Sequence, residues 1–165
     1  MTVATLAKPQ TLADVYKRRL RWIERCCKII DKAGKLVPLV PNAAQIKLAR
    51  AMYEQEARLG LVRIDVLKGR QFGISTFVAA WFHAICVEND HTRTLICAHD
   101  DEASTVLYEK HILIHQHNPQ PMPIERSNAK RHQWAEPHGS VIRVQTAGGS
   151  GWAGRIRSAV RISPR

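Results

Sequence analysis

Two strand-like runs with one helix-like run between them constrain this chain more than any other feature. Residues 61–67 (LVRIDVL) and Arg93–Ala98 (RTLICA) are short and rich in Val, Ile and Leu, with Gly, Asn and Asp at their ends. Ile74–Glu88 between them is long and apolar enough for a buried helix. Strand, helix and strand within about 40 residues form a βαβ unit, which predicts two parallel strands of one sheet joined by a right-handed crossover.

The rest of the chain reads as elements arranged around that unit. Thr11 can cap a helix over residues 11–31, where Leu12, Val15, Tyr16, Leu20, Ile23, Cys27 and Ile30 recur at helical spacing. Residues 35–41 (KLVPLVP) predict an extended connector broken by proline. Asn42 opens a second helix that runs to Leu59 and closes at Gly60. A further core helix spans residues 101–117, and residues 118–123 (NPQPMP) form a loop. Residues 130–135 and 140–146 predict a hairpin around Glu136-Pro137-His138-Gly139. After Thr146 the chain turns glycine-rich and basic (AGGSGWAGRIRSAVRISPR), and no final strand is expected there. The fold class is therefore α/β: a parallel sheet with flanking helices, preceded by a helical segment.

At 165 residues the chain suits one domain with a real core. No apolar run approaches the roughly 20 residues of a membrane span. Residues 1–10 (MTVATLAKPQ) lack the basic start and apolar stretch of an export signal. These features predict a cytoplasmic protein with no membrane partner. Cys26, Cys27, Cys86 and Cys97 have no zinc spacing and are expected to be buried thiols. A net charge of +11 favours polyanionic partners, nucleic acid first. The basic residues fall in patches: Lys17, Arg18, Arg19, Arg21 and Arg25 early, then Lys130 and Arg131, then Arg155, Arg157, Arg161 and Arg165.

The junction between the first strand and its helix, VLKGRQFGISTF, has the outline of a phosphate-binding loop, G-x-x-x-x-G-K-[ST]. Gly69 and Gly73 allow close backbone approach to an anion, and the helix beginning near Ile74 offers its positive end. Ser75 stands where a hydroxyl would ligate Mg²⁺, and Thr76 is a second candidate. Ile74 occupies the position of the usual Lys, so the cation must come from Lys68, which replaces the pattern's first Gly, or from Arg70. An ordinary strand-turn-helix junction remains the alternative.

With its neighbours, this segment resembles the ATPase domain of large terminase subunits, the motors that package DNA into phage proheads. KGRQFGIST resembles the family's deviant loop, with Arg70, Gln71, Gly73 and Ser75 forming an R-Q-x-G-x-[ST] core and a basic residue at the loop's start. LVPNAAQIKLARAM resembles the adenine-recognition segment, which places Pro41 and Gln45 there. TLICAHDDEAS and AGGSGWAGR resemble the stretches that follow the loop helix and precede the Walker B strand. The resemblance covers residues 36–155, a partial P-loop NTPase domain between a helical segment (1–35) and a basic tail (156–165). It implies ATP and Mg²⁺ as cofactors. Lys68, Gly69, Arg70, Gln71, Gly73, Ser75, Thr76, Pro41 and Gln45 would bind the nucleotide. Double-stranded DNA, a terminase small subunit and a portal protein are the implied partners, and the parent protein could form homo-oligomers. Arg155, after the glycines, is a candidate arginine finger; contact with DNA phosphate is its alternative. The Walker B acids, coupling motif and nuclease domain of complete members are not expected here, so a truncated reading frame that hydrolyses ATP poorly is the expectation.

Other readings compete at several positions. Asn42-Ala-Ala-Gln45 also fits a helix-capping arrangement. Asp100, Asp101 and Glu102 mimic a Walker B signature, yet acids opening a helix are what its dipole favours. His111 and His115 lie one helical turn apart, which suits a metal, but solvated helix residues are the expected reading. At the level of function, a helicase-like translocase and a non-enzymatic basic nucleic-acid-binding module are the alternatives.

Overall fold

The computed structural model describes residues 11–68, 72–119, 121–128, 130–146 and 159–164, with residues 67, 68 and 159–164 described by backbone alone. Helix α1 (Leu12–Cys26) starts at Thr11, whose hydroxyl accepts a hydrogen bond from the Asp14 amide at 3.2 Å. It ends about a turn earlier than the apolar spacing predicts. Cys27 is extended, and β1 (Lys28–Ile30) pairs antiparallel with β2 (Leu36–Pro38). The turn chemistry explains this correction: the Asp31 carboxylate accepts from the amides of Ala33 and Lys35, both at 2.8 Å, and Gly34 has φ +77°. The residues expected to be a plain connector therefore contain a strand.

Helix α2 (Ala43–Leu59) closes at Gly60, as expected. It is followed by β3 (Arg63–Lys68), α3 (Ile74–Glu88), β4 (Arg93–Ala98), α4 (Asp101–Gln116), β5 (Ile124–Asn128), β6 (Arg131–Trp134), β7 (Val141–Thr146) and β8 (Ala159–Pro164). Strands β3 and β4 do not pair with each other. Each takes a parallel partner from later in the chain: β3 with β8, and β4 with β7. The βαβ expectation found the right strands, but among the described residues they lie in separate sheets rather than one, because local pattern identifies a strand without naming its partner. Antiparallel β6 and β5 complete a four-stranded mixed sheet in the order β4-β7-β6-β5. Strand β5 went unseen because all five of its residues are exposed, so it has no apolar alternation. Strand β8 corrects the expectation of no strand after Thr146.

Helix α3 is the centre of the packing. Ile74, Phe77, Val78, Ala80, Trp81 and Ala84 join Tyr16 and Ile23 of α1 and Leu48, Ala49 and Met52 of α2 in one core. A helix this apolar buries most of its surface, and each large side chain so buried contributes roughly 1.5–3 kcal/mol. Arg19 fastens α1 to this helix. Its guanidinium donates to Glu88 at 2.7 Å and lies 4.9 Å from the Trp81 ring centre. Tyr16 donates to Glu56 of α2 at 2.7 Å. Among the thiols, Cys27 and Cys86 are buried and Cys26 is half-buried, but Cys97 is exposed on β4, against expectation.

The helix pair α3 and α4 meets the mixed sheet through histidines. His83, His111 and His132 have no exposed surface, and His115 only 5%. This overturns the expectation that His111 and His115 are solvated, because the α4 face that carries them points inward. His83 and His111 approach through their Nδ1 atoms at 3.1 Å, and His132 lies 4.8 Å from the Trp134 ring and 4.5 Å from His115. Among the described residues, no three His, Cys, Asp or Glu side chains are placed to hold a metal. Both His132 nitrogens and Nε2 of His83 and of His111 find no hydrogen-bond partner among the described residues. Burial first, then neighbouring histidines, hold His83 at about 3 and His132 at about 4, and His111 well below its usual value.

The linkage runs one way. Unfolded histidines bind a proton near pH 6.5, while the folded ones resist it far lower, so the unfolded state takes up protons in that window. The stability contributed by the neutral cluster is complete above about pH 6.5 and drains away as pH falls towards 4. Thermal unfolding followed by circular dichroism is expected to show a melting temperature that drops steadily from pH 7 to pH 4.5. His132→Phe should flatten that slope without lowering the melting temperature at pH 7, since two unpartnered nitrogens are removed from an apolar site.

Candidate functional site

Strand β3 delivers the chain to the loop at Lys68. Gly69, Arg70 and Gln71, and the side chain of Lys68, lie outside the described residues, as does Arg155. The described part of the loop begins at Phe72, which is 51% exposed, and Gly73. Gly73 is the N-cap of α3 in the left-handed region, φ +65°. Ile74, at the usual lysine position, is 3% exposed and belongs to the core. An ammonium there would be buried among hydrocarbon. The departure from the common pattern has a packing cause: the first residue of α3 serves as a core anchor.

Two side chains of α2 hold the loop's end. Asn42 and Gln45 form a reciprocal capping box, in which each side chain accepts from the other's amide, at 3.0 and 2.9 Å. The spare donors of both side chains reach the loop: Asn42 Nδ2 donates to the Phe72 carbonyl at 3.2 Å, and Gln45 Nε2 to the Gly73 carbonyl at 3.0 Å. Gln45 is 3% exposed, and both functions of its amide are engaged within the protein. Pro41 is half-buried immediately before this cap. The structure thus brings Gln45 against Gly73 at the start of α3, where Ser75 and Thr76 follow, while Pro41 precedes the α2 cap. The part played by Asn42 towards the loop was missed; its capping pattern was legible, its second donor was not.

The four described helices differ at their starts. Thr11, Asn42 and Asp100 each cap theirs through a side chain, whereas α3 has neither a side-chain cap nor an acid in its first turn. Among the described residues no side chain caps its leading amides and no acid offsets its dipole, and half-buried Ser75 and Thr76 sit beside them. The acidic run before α4 is differently occupied. Asp100 accepts from the Ala103 amide at 2.6 Å, and Asp101 pairs with Lys130 at 2.6 Å, a hydrogen bond that holds its carboxyl below the usual range. Asp100 thus caps α4, and Asp101 is held by its ion pair with Lys130.

Two substitutions probe this geometry. A Cβ on Gly73 would lie 2.8 Å from Gln45 Nε2, in a backbone region that L-residues enter at a cost of about 1–2 kcal/mol. Gly73→Ala should therefore destabilise by at least that much in urea unfolding, and combining it with Gln45→Ala should cost less than the sum of the two. Ile74→Lys, which restores the common pattern, is expected to cost roughly 3–5 kcal/mol by burying an unpaired charge. An unchanged unfolding midpoint would show that this position opens to solvent.

No family model and no curated relative matches the sequence. Among solved structures, the crystal structure of the HK97 bacteriophage large terminase is similar over 84% of this chain, with a TM-score of 0.65 and 18% identity. The match takes in 29% of that terminase's own chain. The described residues thus build a mixed α/β arrangement whose fold is that of part of a phage large terminase.

Proposed function

We propose that the chain is a partial P-loop ATPase module of the terminase type, which binds the phosphates of ATP with Mg²⁺ between β3 and α3. The observation that carries this reading is the start of α3: Gly73 in the left-handed region, no side-chain cap, no acid in the first turn, and two α2 side chains fixing the carbonyls of Phe72 and Gly73. Amides so arranged fit an anion. The likeness of the surrounding fold to part of the HK97 large terminase supports the same reading. In this reading Lys68 and Arg70 supply the positive charge missing at Ile74. Gly69 and Gln71 complete the loop, Ser75 offers its hydroxyl to Mg²⁺, with Thr76 beside it, and Pro41 borders the adenine. Gln45 acts chiefly by holding Gly73 in place.

Strand β8 lies against β3 with Ser163 and Pro164 opposite Leu67 and Lys68, beside the start of the proposed loop. In a longer protein of this type the module would serve ATP-driven translocation of double-stranded viral DNA into a prohead, alongside a small subunit and a portal. Arg155 would then be available to a neighbouring subunit.

Isothermal titration with Mg²⁺ and ATP is the direct test. Lys68→Ala combined with Arg70→Ala is expected to weaken binding by roughly a hundredfold or more, given about 1.5–3 kcal/mol for each charged hydrogen bond. Undiminished affinity in the double variant would overturn the assignment.

A further inference from the structure

The mixed sheet has two unlike faces. The helices that touch it, α3 and α4, lie on the side of His132 and Trp134. On the opposite side the register brings four arginines together from four neighbouring strands: Arg93 of β4, Arg143 of β7, Arg131 of β6 and Arg126 of β5. Arg131 is directly opposite Arg143, while Arg93 and Arg126 stand at the two ends of the adjoining row, aligned through Val141 and Gln133. With strands about 4.8 Å apart, the cluster spans roughly 14 Å.

The charges in this cluster are poorly compensated. Among the described residues none of the four arginines forms an ion pair. Arg131 donates to Gln133, which in turn donates to Glu125, the one acid within the group. The buried Nε of Arg131 has no hydrogen-bond partner among the described residues. Desolvation, then Arg143 and Arg126, hold Arg131 below the ordinary guanidinium range. Arg93, Arg131 and Arg143 also line a shallow hollow of about 110 Å³, large enough for a phosphate group.

We infer that this arginine face is a docking surface for the phosphate backbone of duplex nucleic acid. Guanidinium groups pair with phosphate in fork geometry, and the width of the cluster suits successive phosphates along a backbone. Neither row carries an aromatic side chain on which an unstacked base could rest, so the surface favours a duplex over a single strand. The inference deepens the DNA-handling side of the proposed function but does not depend on the nucleotide loop.

The test compares two triple variants of equal charge change by fluorescence anisotropy with a 20-base-pair duplex over a salt series. One is Arg93→Gln with Arg131→Gln and Arg143→Gln; the other is Lys17→Gln with Arg21→Gln and Arg25→Gln on α1. The sheet variant is expected to reduce the salt slope by about 3, roughly one unit for each phosphate no longer engaged, and the α1 variant by less than about 1. Equal reductions in both, or an unchanged slope in the sheet variant, would overturn the inference. So would displacement of the duplex by polyglutamate at equal charge concentration, which would indicate an acidic protein segment instead. Single Arg143→Gln and Arg93→Gln variants, checked by circular dichroism, give the same reading should the triple variant unfold. ATP titration of the sheet variant separates the two proposals, since its nucleotide affinity is expected to be unchanged.

Discussion

Everything in this fold depends on the burial of α3, nine of whose fifteen residues are buried. The helix begins at the loop, ends at the ion pair with Arg19, and buries its length against α1 and α2 on one side and α4 and the mixed sheet on the other. A helix packed on several sides transmits its position to its neighbours, because close-packed interiors resist small displacements. The loop is therefore not an appendage. Its last residue caps a helix whose first side chain is already in the core.

That arrangement explains the departure from the familiar lysine. A residue cannot be both a hydrocarbon anchor and a phosphate ligand, and at position 74 the anchor has won. The α2 clamp follows from the same economy. Because Gly73 contributes no side chain to hold the turn, Asn42 and Gln45 supply the grip from outside through the carbonyls. One short segment thus starts a helix and steadies a loop about 30 residues away.

The sequence was most readable where local chemistry decides the outcome. Helices α2, α3 and α4 and strand β4 lie where their caps and apolar spacing put them, because Asn42, Gly60 and Asp100 act within one turn of chain. It was least readable where distant residues decide. Strand β5 is an exposed edge without alternation, and β8 forms only because β3 offers it a partner. His111 and His115 look like polar surface until His83 and His132 arrive from elsewhere to surround them. At the loop, the glycine and the uncapped helix start were legible. The second hydrogen bond of each clamp residue was not, since it joins segments that only the fold brings together.

The pairing of β3 with β8 also bears on how the chain matures. Arg63 is matched with Ala159, so the loop's own strand leaves the ribosome long before its partner exists. Contacts of such long reach form late and slowly. The α1–α2–α3 core, built from the first half of the sequence, can assemble while β3 still presents an unpaired edge. During synthesis that edge stays open to pairing with other nascent chains until residues 159–164 are made.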